Sequence, residues 1–302
     1  MHPRLAPVVA QLDRVILGKN EAVRLCVACL LARGHLLIED QPGVGKTTLA
    51  NALSRTLGLE LRRVQFTSDL LPADIVGTSI YDRERAQFIF HPGPVFSQVV
   101  LADEVNRATP KTQSALLEAM EERQVTVDGR THPLPAPFFV IATQNPAWQI
   151  GTYPLPESQL DRFLMRLELG YPDRDAEREM LAGPDRRGMM LGLEPMLRPE
   201  DLQDLQRQAC EVHVSAPLRE YLLDLVGFTR SGGNRGLSPR AGLALQHAAQ
   251  AWAFLAGRSH VEPEDVQTVA VPVMAHRLGM AGELTVDGGA RARDVLRSVP
   301  VR

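Results

Sequence analysis

The chain has 302 residues, 44% of them hydrophobic, 23% charged and 5% aromatic. That is enough apolar material for a sizeable core and, at roughly 150 residues per domain, for about two domains. Thirty-three basic against 36 acidic side chains leave a net charge of −3, and a pI near 6.3 gives no general attraction to phosphate backbones or anionic membranes, which disfavours a generic nucleic-acid binder. The longest apolar stretch, residues 25–32, falls far short of the roughly 20 residues of a membrane-spanning helix. Two early prolines, Pro3 and Pro7, and Asp13 do not make the apolar block of a signal peptide. Three cysteines, an odd number without a disulfide framework, point to a reducing cytoplasm.

Up to Gly170, short β-rich runs alternate with helical ones. Residues 35–39, 61–66, 98–102, 138–143 and 163–169 read as five strands, mostly apolar throughout, as parallel strands buried on both faces are. The alternation predicts an α/β layered domain. Residues 46–57 read as a helix closed by Gly58. Residues 76–96 then interrupt the alternation. Thr109 is placed to cap a helix that begins at Pro110 and carries Ala115, Leu116, Ala119 and Met120 at helical spacing. A second interruption, residues 124–134, sets Val125 and Val127 beside Asp128-Gly129, a strong hairpin signal. Both interruptions are expected to project outward, as working surfaces or as solvated loops. Residues 171–199 are rich in charge, Gly, Pro and Met and read as a linker with helical pieces. Beyond it, residues 202–209, 217–230, 239–256 and 263–278 are helix candidates, so the second domain is expected to be a small helical bundle.

The richest segment is Glu39-Asp40-Gln41-Pro42-Gly43-Val44-Gly45-Lys46-Thr47-Thr48, which follows a predicted strand and opens a predicted helix. Gly43 and Gly45 let backbone amides turn inward around an anion, and the helix N-terminus adds partial positive charge. Lys46 can reach the β- and γ-phosphates and Thr47 offers a hydroxyl to Mg²⁺. It looks like a Walker A loop with Asp40 in place of the first glycine. The strand at 98–102 runs into Asp103-Glu104, which puts two carboxylates at the carboxyl edge of a parallel sheet, where ligands bind. Asp103 is expected to hold Mg²⁺ and Glu104 to orient and deprotonate the water that attacks the γ-phosphate. A third buried strand ends in Gln144-Asn145-Pro146. The Asn145 amide can bond both the γ-phosphate and the water; the alternative is a simple Asn-Pro turn.

The run from Leu101-Ala102-Asp103-Glu104-Val105-Asn106-Arg107, with Lys111-Thr112-Gln113-Ser114-Ala115-Leu116-Leu117-Glu118-Ala119-Met120-Glu121-Glu122, Ala142-Thr143-Gln144-Asn145-Pro146 and Gly151-Thr152-Tyr153-Pro154, closely resembles the MoxR family of AAA+ ATPases over nearly the whole chain. The resemblance implies an αβα nucleotide-binding core over residues 1–170 and a helical lid over 200–302. It also implies a homo-oligomeric ring, usually hexameric, with ATP at subunit interfaces. Residues 76–96 become the helix-2 insert and 124–134 the pre-sensor hairpin, facing pore or client. Leu160-Asp161-Arg162-Phe163 resembles the arginine-finger position, where Arg162 reaches a neighbour's γ-phosphate. Gly236-Leu237-Ser238-Pro239-Arg240 resembles the second sensor, with Arg240 on nucleotide in the same subunit. Val15-Ile16-Leu17-Gly18 resembles the segment against adenine, so Ile16 and Gly18 join the binding set; Arg107 is a weaker candidate for an interface contact. The family implies a chaperone that remodels a client or inserts its metal or cofactor, often with a partner carrying a von Willebrand factor A domain.

Cys26 and Cys29 form a Cys-x-x-Cys spacing in a predicted apolar helix and are read as packing. The histidines show no zinc-site spacing, and Trp148 and Trp252 are read as core or interface residues. Two alternatives to an ATP-driven motor stay open: a nucleotide-gated binding switch with negligible turnover, and a nucleic-acid translocase of related architecture, against which the acidic balance argues.

Overall fold

The computed structural model describes residues 1–145, 151–183, 186–231, 236–281, 284–285 and 287–301. Two helices, α1 (Ala6–Val15) and α2 (Asn20–Leu31), lead into β1 (Leu36–Glu39), after which the glycine-rich loop opens α3 (Lys46–Thr56). Next come β2 (Leu61–Gln65) and a short α4 (Pro72–Val76). The first interruption of the alternation is an antiparallel hairpin of β3 (Gly77–Asp82) and β4 (Gln87–Pro92). The chain returns through β5 (Val99–Asp103) and α5 (Pro110–Glu122) to a second hairpin, β6 (Gln124–Val127) and β7 (Arg130–Pro133). Asp128 and Gly129, both at positive φ (51° and 73°), make its tight turn. β8 (Phe139–Gln144), α6 (Glu157–Leu160) and β9 (Met165–Leu167) complete this part. The rest is helical apart from the two-residue strands β10 (Met280–Ala281) and β11 (Leu284–Thr285). Its helices are α7 (Arg174–Ala182), α8 (Arg186–Leu191), α9 (Pro199–Cys210), α10 (Ala216–Arg230), α11 (Pro239–Ala256), α12 (Pro263–Leu278) and α13 (Gly288–Ser298).

Five strands form one parallel sheet in the order β2-β5-β8-β1-β9, the α/β layering expected from the apolar runs. Alternate residues of each strand enter opposite faces. Leu36 and Ile38 of β1, Val99 and Leu101 of β5 and Phe139 and Ile141 of β8 face one apolar body with α1, α2 and α3. Leu37, Val100, Ala102, Val140 and Ala142 face the other, with Leu116, Leu117 and Met120 of α5. Buried residues of α9 to α13 belong to the first body, so the C-terminal helices share a core with α1 and α2. The sheet therefore fixes which chain segments reach its carboxyl edge, and the helical region backs one of its faces.

Several local expectations change. The Thr109 hydroxyl bonds Thr112 Oγ1 at 3.1 Å rather than a helix amide, although Pro110 does open α5. α1 and α13 had no counterpart in the sequence reading. Cys26 and Cys29 are buried in α2, where loss of water pushes the Cys26 thiol up to about 12 and that of Cys29 well above its ordinary value, so they serve packing. Trp252 is partly buried against the core; Trp148 lies outside the described residues. Among the described residues no helix is long and apolar enough to cross a membrane.

Candidate active site

The loop between β1 and α3 takes the conformation its glycines permit. Gly43 and Gly45 have φ of 88° and 97°, and a Cβ on either would meet nothing within 4 Å, so both amides border open space. Pro42, Gly43, Gly45, Lys46, Thr47 and Thr48 line a cavity of about 300 Å³ together with Asp103, Glu104 and Asn145. The phosphate-loop, acid and amide motifs thus meet in one place. Val44 is partly buried against the core and anchors the loop. Lys46 is 8% exposed and donates from Nζ to the carbonyls of Asp40 (2.5 Å) and Gln41 (3.1 Å). Burial pulls its ammonium below the ordinary lysine value against the opposing attraction of Asp40, Asp103 and Glu104. A lysine held only by loop carbonyls exchanges them readily for phosphate oxygens.

The acids are held chiefly by donors from two neighbouring strands, β2 and β8, and the residue that follows β8. Asp103 ends β5; its Oδ1 accepts from Thr143 Oγ1 (2.5 Å) and its Oδ2 from Arg63 Nη2 (2.7 Å). Glu104, the next residue, sits in the left-handed region at φ 56°, a conformation that costs a non-glycine residue on the order of 1–2 kcal/mol. Its amide donates to Thr143 Oγ1 at 2.9 Å, so one hydroxyl bridges both acidic residues. Glu104 Oε1 accepts from Asn145 Nδ2 (3.0 Å) and Oε2 from Gln65 Nε2 (3.0 Å), with Arg107 Nε at 3.3 Å. Arg107 thus lies on the Glu104 of its own chain. Arg63, Gln65 and Thr143 were not singled out from the sequence. Arg63 and Gln65 are polar residues two apart on one face of a sheet strand, and it is the strand register, with Gln65 beside Asp103, that brings them to the acids.

Among the described residues no three His, Cys, Asp or Glu side chains cluster as metal ligands, so there is no protein cage for a cation. The Thr47 hydroxyl and Asp103 carboxylate, hard oxygen donors at the edge of an open phosphate-sized cavity, suit Mg²⁺, which keeps several waters and binds through one or two protein oxygens plus substrate phosphates. Asp40, where a glycine was expected, ties the loop to a distant segment. Its Oδ2 accepts from the Gly170 amide at 2.6 Å and its Oδ1 from the Gln41 amide at 2.8 Å. Tyr171 Oη reinforces the tie through Gln41 Oε1 at 2.7 Å. The tethered segment continues to Asp173 and Ala176, against which Gly18 packs so closely that a Cβ there would lie 2.9 Å from the Ala176 Cβ. Ile16 is buried beside it. Neither residue lines the phosphate cavity itself.

Arg162 and Arg240 lie elsewhere. Arg162 Nε pairs with Glu121 Oε2 at 2.9 Å, and Arg240 Nη2 bonds Glu121 Oε1. The Arg240 hydrogen bond is the main reason the Glu121 carboxyl is held below the usual range. Both arginines line a second cavity, of about 480 Å³, with Arg33, Gly34 and His35. Gly34 and His35 precede β1, whereas the phosphate loop follows it, so the clusters occupy opposite ends of a strand that alone spans about 13 Å at roughly 3.3 Å per residue. Arg240 thus lines this second cavity and not the phosphate cavity of its own chain; α11, which carries it, shares an apolar body with α2.

A phosphate loop on a five-stranded parallel sheet, two acids and an amide at the neighbouring strand ends, and a helical C-terminal region define a P-loop nucleotide-binding protein of the AAA+ class. The comparisons agree. Residues 35–165 match the ATPase family associated with various cellular activities (AAA) and residues 233–298 match the AAA lid domain. The YeaC protein of Bacillus subtilis is 45% identical, with 100% of this chain and 96% of that one covered. A protein named Chaperone MoxR1 from Mycobacterium tuberculosis is 40% identical, with 94% and 78% covered. The crystal structure of a putative ATPase from Cytophaga hutchinsonii superposes with a TM-score of 0.87 at 35% identity, covering 99% of this chain and 95% of that one. The chain belongs to the MoxR family of AAA+ ATPases.

Proposed function

We propose that the protein hydrolyses ATP in a homo-oligomeric ring, hexameric by family analogy, and uses the cycle to remodel or mature a client protein, with recognition shared by a partner carrying a von Willebrand factor A domain. The observation that carries this reading is the position of Arg162 and Arg240: paired, partly exposed (28% and 52% of their side chains), and across the sheet from their own phosphate cavity. Two guanidiniums so placed complete a neighbour's site, not their own.

In that site Gly43, Val44, Gly45 and Thr48 cradle the phosphates through backbone amides, and Lys46 trades its loop carbonyls for phosphate oxygens. Thr47 and Asp103 would hold Mg²⁺, which would supply charge neutralisation for the phosphates. Ile16 and Gly18 flank the base. Asn145 orients the attacking water, and Glu104 accepts its proton once the Gln65 bond is released. Arg162 and Arg240 of the adjoining subunit meet the charge on the transferring phosphoryl group, an effect worth about 10³–10⁵ in rate in other NTPases.

A nucleotide-gated switch with negligible turnover draws on a specific observation, that both oxygens of Glu104 already accept hydrogen bonds. Phosphate release by wild type and Glu104→Gln separates the readings. The motor requires measurable turnover that Glu104→Gln abolishes while nucleotide binding persists; equally negligible rates in both proteins select the switch.

A further inference from the structure

Arg277, at the end of α12, is 5% exposed; besides one bond from Nη1 to the Val273 carbonyl of its own helix, its guanidinium bonds the short segment that carries Arg162. Nε donates to Asp161 Oδ1 at 2.6 Å, Nη2 to the Asp161 carbonyl at 3.2 Å and the Phe163 carbonyl at 2.8 Å, and Nη1 to the Leu164 carbonyl at 3.2 Å. These acceptors lie on both sides of residue 162. The adjacent His276 adds Nε2 to the Phe163 carbonyl at 3.1 Å. From the N-cap of α11, the helix that carries Arg240, Ser238 Oγ donates to Asp161 Oδ2 at 3.2 Å. One carboxylate is therefore shared by two helices of the C-terminal region, and the backbone on either side of Arg162 is fixed from behind while its own side chain reaches Glu121. A buried arginine–aspartate pair contributes little net stability over an apolar substitute once desolvation is counted. What only a planar five-donor group can do is hold several carbonyls and a carboxylate in one fixed arrangement.

We propose that Arg277 is a positioning residue for the reaction: it sets the direction of Arg162, so that the C-terminal helices decide whether the arginine is presented to the neighbouring subunit. This rests on the reading that Arg162 works across the interface. Movement of α12 relative to the sheet carries residues 161–164 with it, and Arg240 moves in step through Ser238 and Glu121.

The test is Arg277→Lys, which keeps the charge and an Asp161 partner but cannot span the carbonyls. ATP affinity and KM stay within about twofold, because the variant's own phosphate cavity is untouched, while kcat falls about 10²-fold, the scale of a displacement near 1 Å in a catalytic group. Mixing Arg277→Lys with Glu104→Gln subunits, with co-purification of two tags establishing mixed assemblies, restores phosphate release, since an intact Arg162 from one serves an intact Glu104 of the other. A parallel mixture of Arg162→Ala with Glu104→Gln is the control. If the control is rescued and Arg277→Lys is not, or if Arg277→Lys alone keeps kcat within about threefold of wild type, the inference is wrong while the interface reading stands. If neither mixture is rescued, the interface reading fails and this inference with it. Should Arg277→Lys not fold, Asp161→Asn, which leaves every carbonyl in place and weakens only the carboxylate anchor, is expected to show the same rescue with a smaller, roughly fivefold, loss of kcat.

Discussion

At the scale of single residues the site is a set of exchangeable partners. Lys46 is satisfied by loop carbonyls and Glu104 by two side-chain amides beside the Arg107 guanidinium, whereas Asp103 is held by a guanidinium and a hydroxyl. Lys46→Ala should raise the dissociation constant for ATP at least about tenfold, equivalent to roughly 1.4 kcal/mol, in a fluorescent-nucleotide titration; an unchanged constant would remove the phosphate loop from the account. Away from the site, His35 makes a sharper claim. Its Nδ1 accepts the Val140 amide at 3.0 Å and its Nε2 donates to the Met120 carbonyl at 3.2 Å, so only the neutral ring fits, and burial lowers its pKa to about 4. The unfolded chain then takes up the proton first. Stability is complete above the unfolded value near 6.5 and is lost as pH falls toward 4, amounting to about 2 kcal/mol at pH 5. Urea melts at pH 7.5 and 5 should show wild type losing about that much more than His35→Gln; parallel losses would contradict it.

Among the elements, the parallel strands and the phosphate loop were plain in the sequence because each is a local pattern: an apolar run, a glycine pair, acids at a strand end. α13 was hidden because two glycines start it and Ala292 and Val295 are its only buried side chains among its charges, a stripe too narrow to read. Arg63, Gln65 and Thr143 depend on strand register, which no single segment reveals. The joint attachment of Arg162 and Arg240 to Glu121 joins residues far apart in the chain, so motif matching named the arginines but not the carboxylate they share. The hairpin of β3 and β4 gives a contrast that packing predicts. Tyr81 and Phe88 meet edge to face at 5.3 Å yet are 50% and 67% exposed. Phe88→Ala should change stability by less than about 0.5 kcal/mol, whereas Phe66→Ala, fully buried beside the sheet, should cost about 3–5 kcal/mol. Comparable losses in denaturant melts would mean that the hairpin folds back onto the body.

For the whole molecule, the proposed division of the active centre between subunits makes a prediction about the assembly. Specific ATPase activity should fall steeply on dilution below the assembly concentration while nucleotide binding per chain stays constant; activity independent of concentration would place every needed group in one chain. The joint apolar body under the sheet has a different consequence. Because α9 and α11 bury their faces against α2, and α12 and α13 lie in the same continuous interior, heating should give a single calorimetric endotherm. A fragment ended at residue 170 would expose a greasy flank and precipitate, so the helical half is a condition of solubility for the sheet.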